Sequence, residues 1–215
     1  MNLLFLGPPG SGKDTQAELL AAGGDFVVVS TGQVMRDGIV AGSELALQAK
    51  SFMDEGKWVP DEIVYKLLAE HVKSLGDKSI IFTGAVRRAT QIPLLEDSLD
   101  AVGKSLDKVL YFDLPDAEVM NRLSNRWFCP HDKTIYNTYF KSRSPKVAGV
   151  CDKCGNQLVQ RDDDKPEVVQ QRLAEVRQFD ADILSAYEAK GLLVHVDATP
   201  SVEDIAVKVR ELLGL

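Results

Sequence analysis

Residues 2–16 read NLLFLGPPGSGKDTQ. Asn2–Gly7 is nearly all apolar, which fits a strand buried on both faces. Gly7–Lys13 then matches G-x-x-x-x-G-K, and the residues after it favour a helix. A strand, a glycine-rich turn and a helix in that order form a phosphate loop. The glycines let backbone N–H groups turn inward around phosphate oxygens, and the helix adds the positive end of its dipole. The ammonium of Lys13 can bridge the outer phosphates. A turn that merely links strand to helix is the alternative reading. The position after the lysine, normally a Ser or Thr bound to Mg²⁺, is Asp14, with Thr15 following.

The pattern set by this opening continues outward. Phe26–Ser30, Ser79–Gly84, Lys108–Leu114 and Leu192–Ala198 are further apolar strands. Helices are expected from Asp61, as cap, to Leu75, from near Ala117, from Glu167 to about Lys190 behind Pro166, and from Ser201, as cap, to Leu213. Strands alternating with helices imply βαβ units and a parallel sheet covered on both sides. Two stretches interrupt the rhythm: Thr31–Pro60, which reads as purely helical, and Trp127–Gln160, which is rich in turn formers. Long insertions of this kind are usually lids or binding loops.

A chain of 215 residues makes one generous domain or two small ones. With 45% hydrophobic and 27% charged residues it can build a sizeable core, which excludes global disorder. The net charge of −7 argues against a protein that lives on nucleic acid. Within residues 122–172, however, ten Lys/Arg face six Asp/Glu, a local balance of +4 that suits a small anion. No apolar run is long enough for a membrane span and no signal peptide is visible, so a cytoplasmic protein without a membrane partner is expected. The three cysteines all lie between positions 129 and 154, and an odd, clustered set points to a metal rather than disulfides.

Beyond the loop GPPGSGKDTQ, similarity runs through STGQVMR (Ser30–Arg36), GSELALQAKSFMDEGKWVPDEIV (Gly42–Val64) and TGAVRRATQ (Thr83–Gln91). It continues in DLPDAEVMNRLSNR (Asp113–Arg126) and CDKCGNQLVQRDDDKPEVVQQRL (Cys151–Leu173). On these segments the chain resembles the adenylate kinase family of nucleoside-monophosphate kinases, from end to end. The resemblance implies a three-layer α/β/α P-loop kinase with a five-stranded parallel sheet. Its core would comprise 1–29, 60–126 and 161–215, with a helical monophosphate-binding insertion at 30–59 and a small zinc-binding lid at 127–160, hinged near Arg126 and Arg161. It further implies a monomer that carries a phosphoryl group from MgATP to AMP, giving two ADP.

Residue by residue, the resemblance places ATP on Gly10, Ser11, Gly12, Lys13, Asp14, Thr15, Arg122, Arg126, Ile135 and Tyr136. AMP would be held by Thr31, Arg36, Lys57, Val59, Gly84, Arg87, Gln91, Arg161 and Arg172. Lys13, Arg87, Arg126, Arg161 and Arg172 would act in transfer itself. Arginines suit that work because a planar guanidinium grips phosphate with two hydrogen bonds. A side-chain amide such as Gln91 can donate and accept at once, as an adenine edge requires. Tyr136 and Phe140 could pack on the donor nucleotide or equally in an aromatic core.

In the lid, Cys-x-x-Cys-Gly at Cys151–Gly155 is half of a zinc knuckle. Eighteen residues earlier lies Cys129-Pro-His-Asp132. Asp132 keeps the spacing and aligns with the family's ligand slot, so Cys129, Asp132, Cys151 and Cys154 form the expected set, with His131 as the alternative fourth ligand. The acceptor loop departs from the family's D-G-F-P-R-T: here it is Thr83-Gly84-Ala85-Val86-Arg87-Arg88. The aspartate that helps organise Mg²⁺ is absent, as is the stiffening proline, while Asp14 appears at the phosphate loop. Asp14 either takes over part of the magnesium role or is a helix N-terminal acid favoured by the dipole. The altered loop leaves two other readings open: a kinase for a different monophosphate, or a nucleotide-binding protein with weakened turnover. A zinc-ribbon nucleic-acid module is the reading that charge favours least.

Overall fold

The computed structural model describes residues 1–55 and 57–215. Gly56, within the Gly42–Val64 similarity segment and the 30–59 insertion, lies outside the described residues. The sheet strands are β1 (Asn2–Leu6), β2 (Phe26–Ser30), β3 (Ser79–Thr83), β4 (Lys108–Asp113) and β7 (Leu193–Asp197). They lie parallel in the order β2-β3-β1-β4-β7, which is the expected five-stranded sheet. The helices are α1 (Lys13–Ala21), α2 (Thr31–Val40), α3 (Glu44–Asp54), α4 (Asp61–Ser74), α5 (Ile92–Asp100), α6 (Asp116–Ser124), α7 (Pro166–Ala189) and α8 (Val202–Leu213). Two short strands, β5 (Arg126–Phe128) and β6 (Ile135–Asn137), pair antiparallel in a separate hairpin.

Alternate residues of the central strands feed two different cores, because side chains in a strand point to opposite faces in turn. Leu4, Ile80, Phe82, Val109 and Tyr111 pack with Val34, Leu68, Leu95 and Tyr187 of α2, α4, α5 and α7. Leu3, Phe5, Ile81, Leu110 and Phe112 pack with Ala17, Val119, Val169 and Ile205 of α1, α6, α7 and α8. Truncating a fully buried ring such as Phe5 costs about 3–5 kcal/mol in cores of this kind. This two-sided burial explains why the strands lack a polar period.

Three sequence expectations change in detail. The Thr31–Pro60 stretch is not helical throughout: α2 and α3 are parted at Gly42, whose φ of 74° no helix accommodates, and Lys57–Pro60 is irregular. Pro60, not Asp61, occupies the cap position of α4. Its carbonyl accepts from the N–H groups of Ile63 and Val64 at 3.0 and 3.2 Å, and Asp61 is the first helical residue, where its charge complements the dipole. Helix α5 had no counterpart in the sequence reading, since one tight turn of Ala89–Gln91 leads straight into it. Ser201 does cap α8, accepting from the Asp204 N–H at 3.1 Å.

The register brings the functional loops to one rim. Phe5 of β1 lies beside Thr83 of β3 and Leu110 of β4, and Thr83 beside Ser30 of β2. The strands therefore run out of the sheet together, and the segments that follow them share its carboxyl edge. β1 lies between β3 and β4, where successive crossovers leave the sheet in opposite directions. Open parallel sheets bind their ligands at such a point.

Candidate functional site

The phosphate loop folds where the sequence places it. Gly7 follows β1 with φ 138°, and a Cβ there would stand 2.7 Å from the Phe112 carbonyl oxygen, so no other residue fits. Gly12, at φ 85°, caps α1, and its carbonyl accepts from the Gln16 N–H at 2.9 Å. The Ser11 hydroxyl is buried and finds no partner among the described residues. A loop that buries an unsatisfied hydroxyl and aims a helix N-terminus at its own hollow is built for an acceptor-rich guest.

Positive charge converges on that hollow. The half-buried Lys13 has its pKa pulled below the usual lysine value, first by burial and then by the guanidiniums of Arg87, Arg172 and Arg126, with Asp14 acting in the opposite sense. Arg87 is lowered likewise by burial and by Arg172, against Asp14 and Tyr65. Four expected cations therefore share one region, with the exposed Asp14 beside Lys13 and Arg87. Like charges held together in this way cost free energy without a bound polyanion.

Two of these arginines have partners that the sequence reading missed. Arg126 forms a fork with the buried Asp164, at 2.8 Å from Nε and 2.5 Å from a terminal nitrogen. Arg172 bonds the Asp163 carboxylate and carbonyl, each at 2.9 Å. The signal was the Asp162–Asp164 run flanked by Arg161 and Arg172, since bidentate carboxylates fix a guanidinium's direction. Arg161 lies over the Phe128 ring at 5.0 Å, on the hairpin. Arg122 is buried, bonded to Glu118 at 2.9 Å and the Thr199 carbonyl at 3.2 Å, and lies over Phe140 at 5.1 Å. Its Cβ borders the phosphate loop, 3.8 Å from where a Cβ on Gly10 would stand. Arg36 is exposed and bonded to Gln33.

A cavity of about 210 Å³ opens beside the cations. Thr31, Lys57, Val59, Gly84, Arg87 and Gln91, all expected for the acceptor, line it together. It is smaller than the roughly 300–1,000 Å³ of pockets that enclose a whole drug-sized ligand, so it suits one part of a nucleotide. Thr31 donates its hydroxyl to the Gly84 carbonyl at 3.0 Å, tying the start of α2 to the acceptor loop. The Gln91 amide is engaged within the protein: its oxygen accepts from the Arg87 and Arg88 N–H groups at 2.8 and 3.3 Å, and its nitrogen donates to Asp61 at 2.7 Å. Tyr65 donates to the Ala85 carbonyl from below. The loop without proline is thus held by Gln91 and Tyr65, two contacts that the sequence does not show.

Within residues 127–160, the sulfur and carboxylate atoms of Cys129, Asp132, Cys151 and Cys154 lie within 4.8 Å of one another, and Asp132 rather than His131 joins the thiols. The two turns are built alike. The Lys133 N–H reaches the Cys129 carbonyl at 3.0 Å and the Gly155 N–H the Cys151 carbonyl at 2.9 Å, with φ of 64° and 73° at those residues. Asp132 accepts from the Cys151 thiol at 3.1 Å and the Thr134 N–H at 2.9 Å, and these hold its carboxyl well below the usual range. Burial pushes Cys129 up to about 11. Tyr136 is packed inside this small core, with its hydroxyl accepting from the Asp152 N–H at 2.7 Å, whereas Ile135 beside it is exposed. Three soft sulfurs and one carboxylate in a closed shell suit tetrahedral zinc.

Among known proteins, a family model described as adenylate kinase matches residues 5–192. A protein named adenylate kinase from Archaeoglobus fulgidus is 36% identical over 99% of this chain and 98% of its own length. Another of that name, from Syntrophomonas wolfei, is 37% identical over 99% of both chains. A third, from Rhizorhabdus wittichii, is 38% identical, again over 99% of both.

Proposed function

The chain belongs to the adenylate kinase family, and from that premise we propose how its own residues carry out the exchange ATP + AMP ⇌ 2 ADP. The activity is phosphoryl transfer between nucleotides, with Mg²⁺ accompanying ATP as in the family. The attacking phosphate oxygen needs no strong base, because a phosphate monoester with a second pKa of about 6 is already ionised near neutrality. What the protein must supply is charge neutralisation, alignment and exclusion of water.

The observation that carries the assignment is the gathering of Lys13, Arg87, Arg126 and Arg172 around one hollow. The donor triphosphate lies in the cradle of Gly10, Ser11, Gly12 and Lys13, with Thr15 at its edge and Arg122 toward the base. The acceptor base enters the 210 Å³ cavity, and its phosphate faces Arg36 and Arg87. Arg126 and Arg172, directed by Asp164 and Asp163, stand where negative charge spreads onto the transferring oxygens. Residues 30–59 act as the acceptor arm, and residues 127–160 as the lid that brings Arg161 and Ile135 over the nucleotides. Closure of this kind excludes water during transfer.

Zinc, when bound, would be held by Cys129, Asp132, Cys151 and Cys154 and would brace a lid whose own core is too small to hold it. The Asp14 carboxylate, exposed beside Lys13 and Arg87, is a hard oxygen of the type Mg²⁺ prefers, and it compensates in part for the Thr83 that replaces the family's aspartate. If so, Asp14→Gly should raise the Mg²⁺ concentration needed for half-maximal rate, and an unchanged requirement would leave Asp14 a helix-end acid only. A coupled assay with ATP and AMP tests the whole assignment. AMP should be the best acceptor on a panel that includes CMP, UMP and GMP, and a better rate with any of these would overturn the choice of acceptor.

A further inference from the structure

Trp58 is 63% exposed, although an indole is among the largest apolar surfaces a chain can leave in water. It lines the mouth of the acceptor cavity, and no core cluster among the described residues includes it. Two guanidiniums lie against its ring: Arg87 at 5.3 Å and Arg88 at 5.5 Å from the centroid. The backbone bends at Arg87 and Arg88, and the side chains of these two neighbours converge on one ring. The indole's own backbone is anchored, since the Lys57 N–H reaches the Phe52 carbonyl at 2.8 Å and Pro60 begins the α4 cap.

We propose that Trp58 is a positioning residue for the acceptor phosphate, holding Arg87 in its binding direction through the face of the guanidinium. A guanidinium offers its face to an aromatic ring and its edge to phosphate, so the two contacts do not compete. The acceptor loop lacks the proline that stiffens it elsewhere in the family, and Gln91 and Tyr65 fix only its backbone. The ring fixes the side chain. This inference rests on the reading of Arg87 as a phosphate ligand and deepens it.

The test is steady-state kinetics on Trp58→Leu, Trp58→Phe, Arg87→Ala and the double variant Trp58→Leu/Arg87→Ala. Trp58→Leu should raise KM for AMP by about 3- to 10-fold, the range of an exposed to partly desolvated cation–π pair. KM for ATP should stay within about twofold, and Trp58→Phe should recover most of the loss because a flat ring remains. In the Arg87→Ala background, adding Trp58→Leu should change KM for AMP little, as expected for two residues acting through one contact. The proposal is overturned by an unchanged KM for AMP, by equal rises for both nucleotides, by a phenylalanine variant as poor as leucine, or by additivity in the double variant. An Arg87→Ala enzyme with normal KM for AMP would instead remove the phosphate role of Arg87 itself.

Discussion

At the scale of single residues, the cations proposed to hold phosphate repel one another while no anion is bound. Lys13 carries a positive charge amid three guanidiniums and partial burial, and its pKa falls for those reasons. A lysine whose folded pKa is depressed weakens the folded state at neutral pH and does so less as pH rises toward its unfolded value. Lys13→Met should therefore abolish measurable transfer while raising the stability of the ligand-free protein by about 1 kcal/mol, read as a higher Tm. A lower Tm would show that the cluster is not self-repelling. Tyr187 is fully buried with no partner for its hydroxyl among the described residues. Removing an unsatisfied buried hydroxyl while keeping the ring should be neutral or stabilising by up to about 2 kcal/mol, so Tyr187→Phe should not lower the urea midpoint. Lys13, Arg126 and Arg172 were legible in the sequence because their motifs fix their places. Asp163 and Asp164 were not, since a run of three acids does not say which one faces inward. Trp58 was not, because a lone aromatic between helices usually packs in a core.

At the scale of elements, the lid turns invite a comparison. Lys133 adopts the left-handed conformation that Gly155 adopts in the matching turn. The penalty for a side chain there is about 1–2 kcal/mol. Lys133→Gly should therefore stabilise the zinc-loaded lid, seen as slower proteolysis within residues 127–160, unless the Lys133 bond to the Pro130 carbonyl at 2.7 Å offsets the gain. Removal of zinc with a chelator should release the lid first. Far-UV circular dichroism would change little, because the sheet and α1–α8 do not depend on the knuckles, whereas transfer would fall steeply. The sheet strands were legible to within a residue or two because two-faced burial demands continuous apolar runs. The break between α2 and α3 was harder to see, for Gly42 acts through its φ and leaves the surrounding composition helical.

At the scale of the whole molecule, binding should dominate stability. A single compound with two adenosines joined tail to tail through a chain of phosphates would occupy both subsites at once. At a thousandfold excess over its Kd it adds about 4 kcal/mol, or a rise in Tm of about 10 °C for a chain of this size. A shift no larger than that given by AMP alone would argue against two facing subsites. In alkali, burial raises the pKa of Tyr65, Tyr111 and Tyr187 above the ordinary tyrosine value. Groups raised on folding stabilise fully below their unfolded pKa near 10 and withdraw that support as pH climbs toward the folded one. Unfolding midpoints should hold steady up to about pH 10 and fall beyond it.

The position of β1 has a consequence for how the chain comes into being. It is the middle strand, yet it precedes both of its neighbours in chain order: Asn2 meets Ile80, and Leu3 meets Lys108. At about 5–20 residues per second, a ribosome takes roughly 4–16 s to deliver the first partner after the strand itself. Through that interval LLFL has no mate, and the nascent chain needs shelter from its fellows until the third strand emerges.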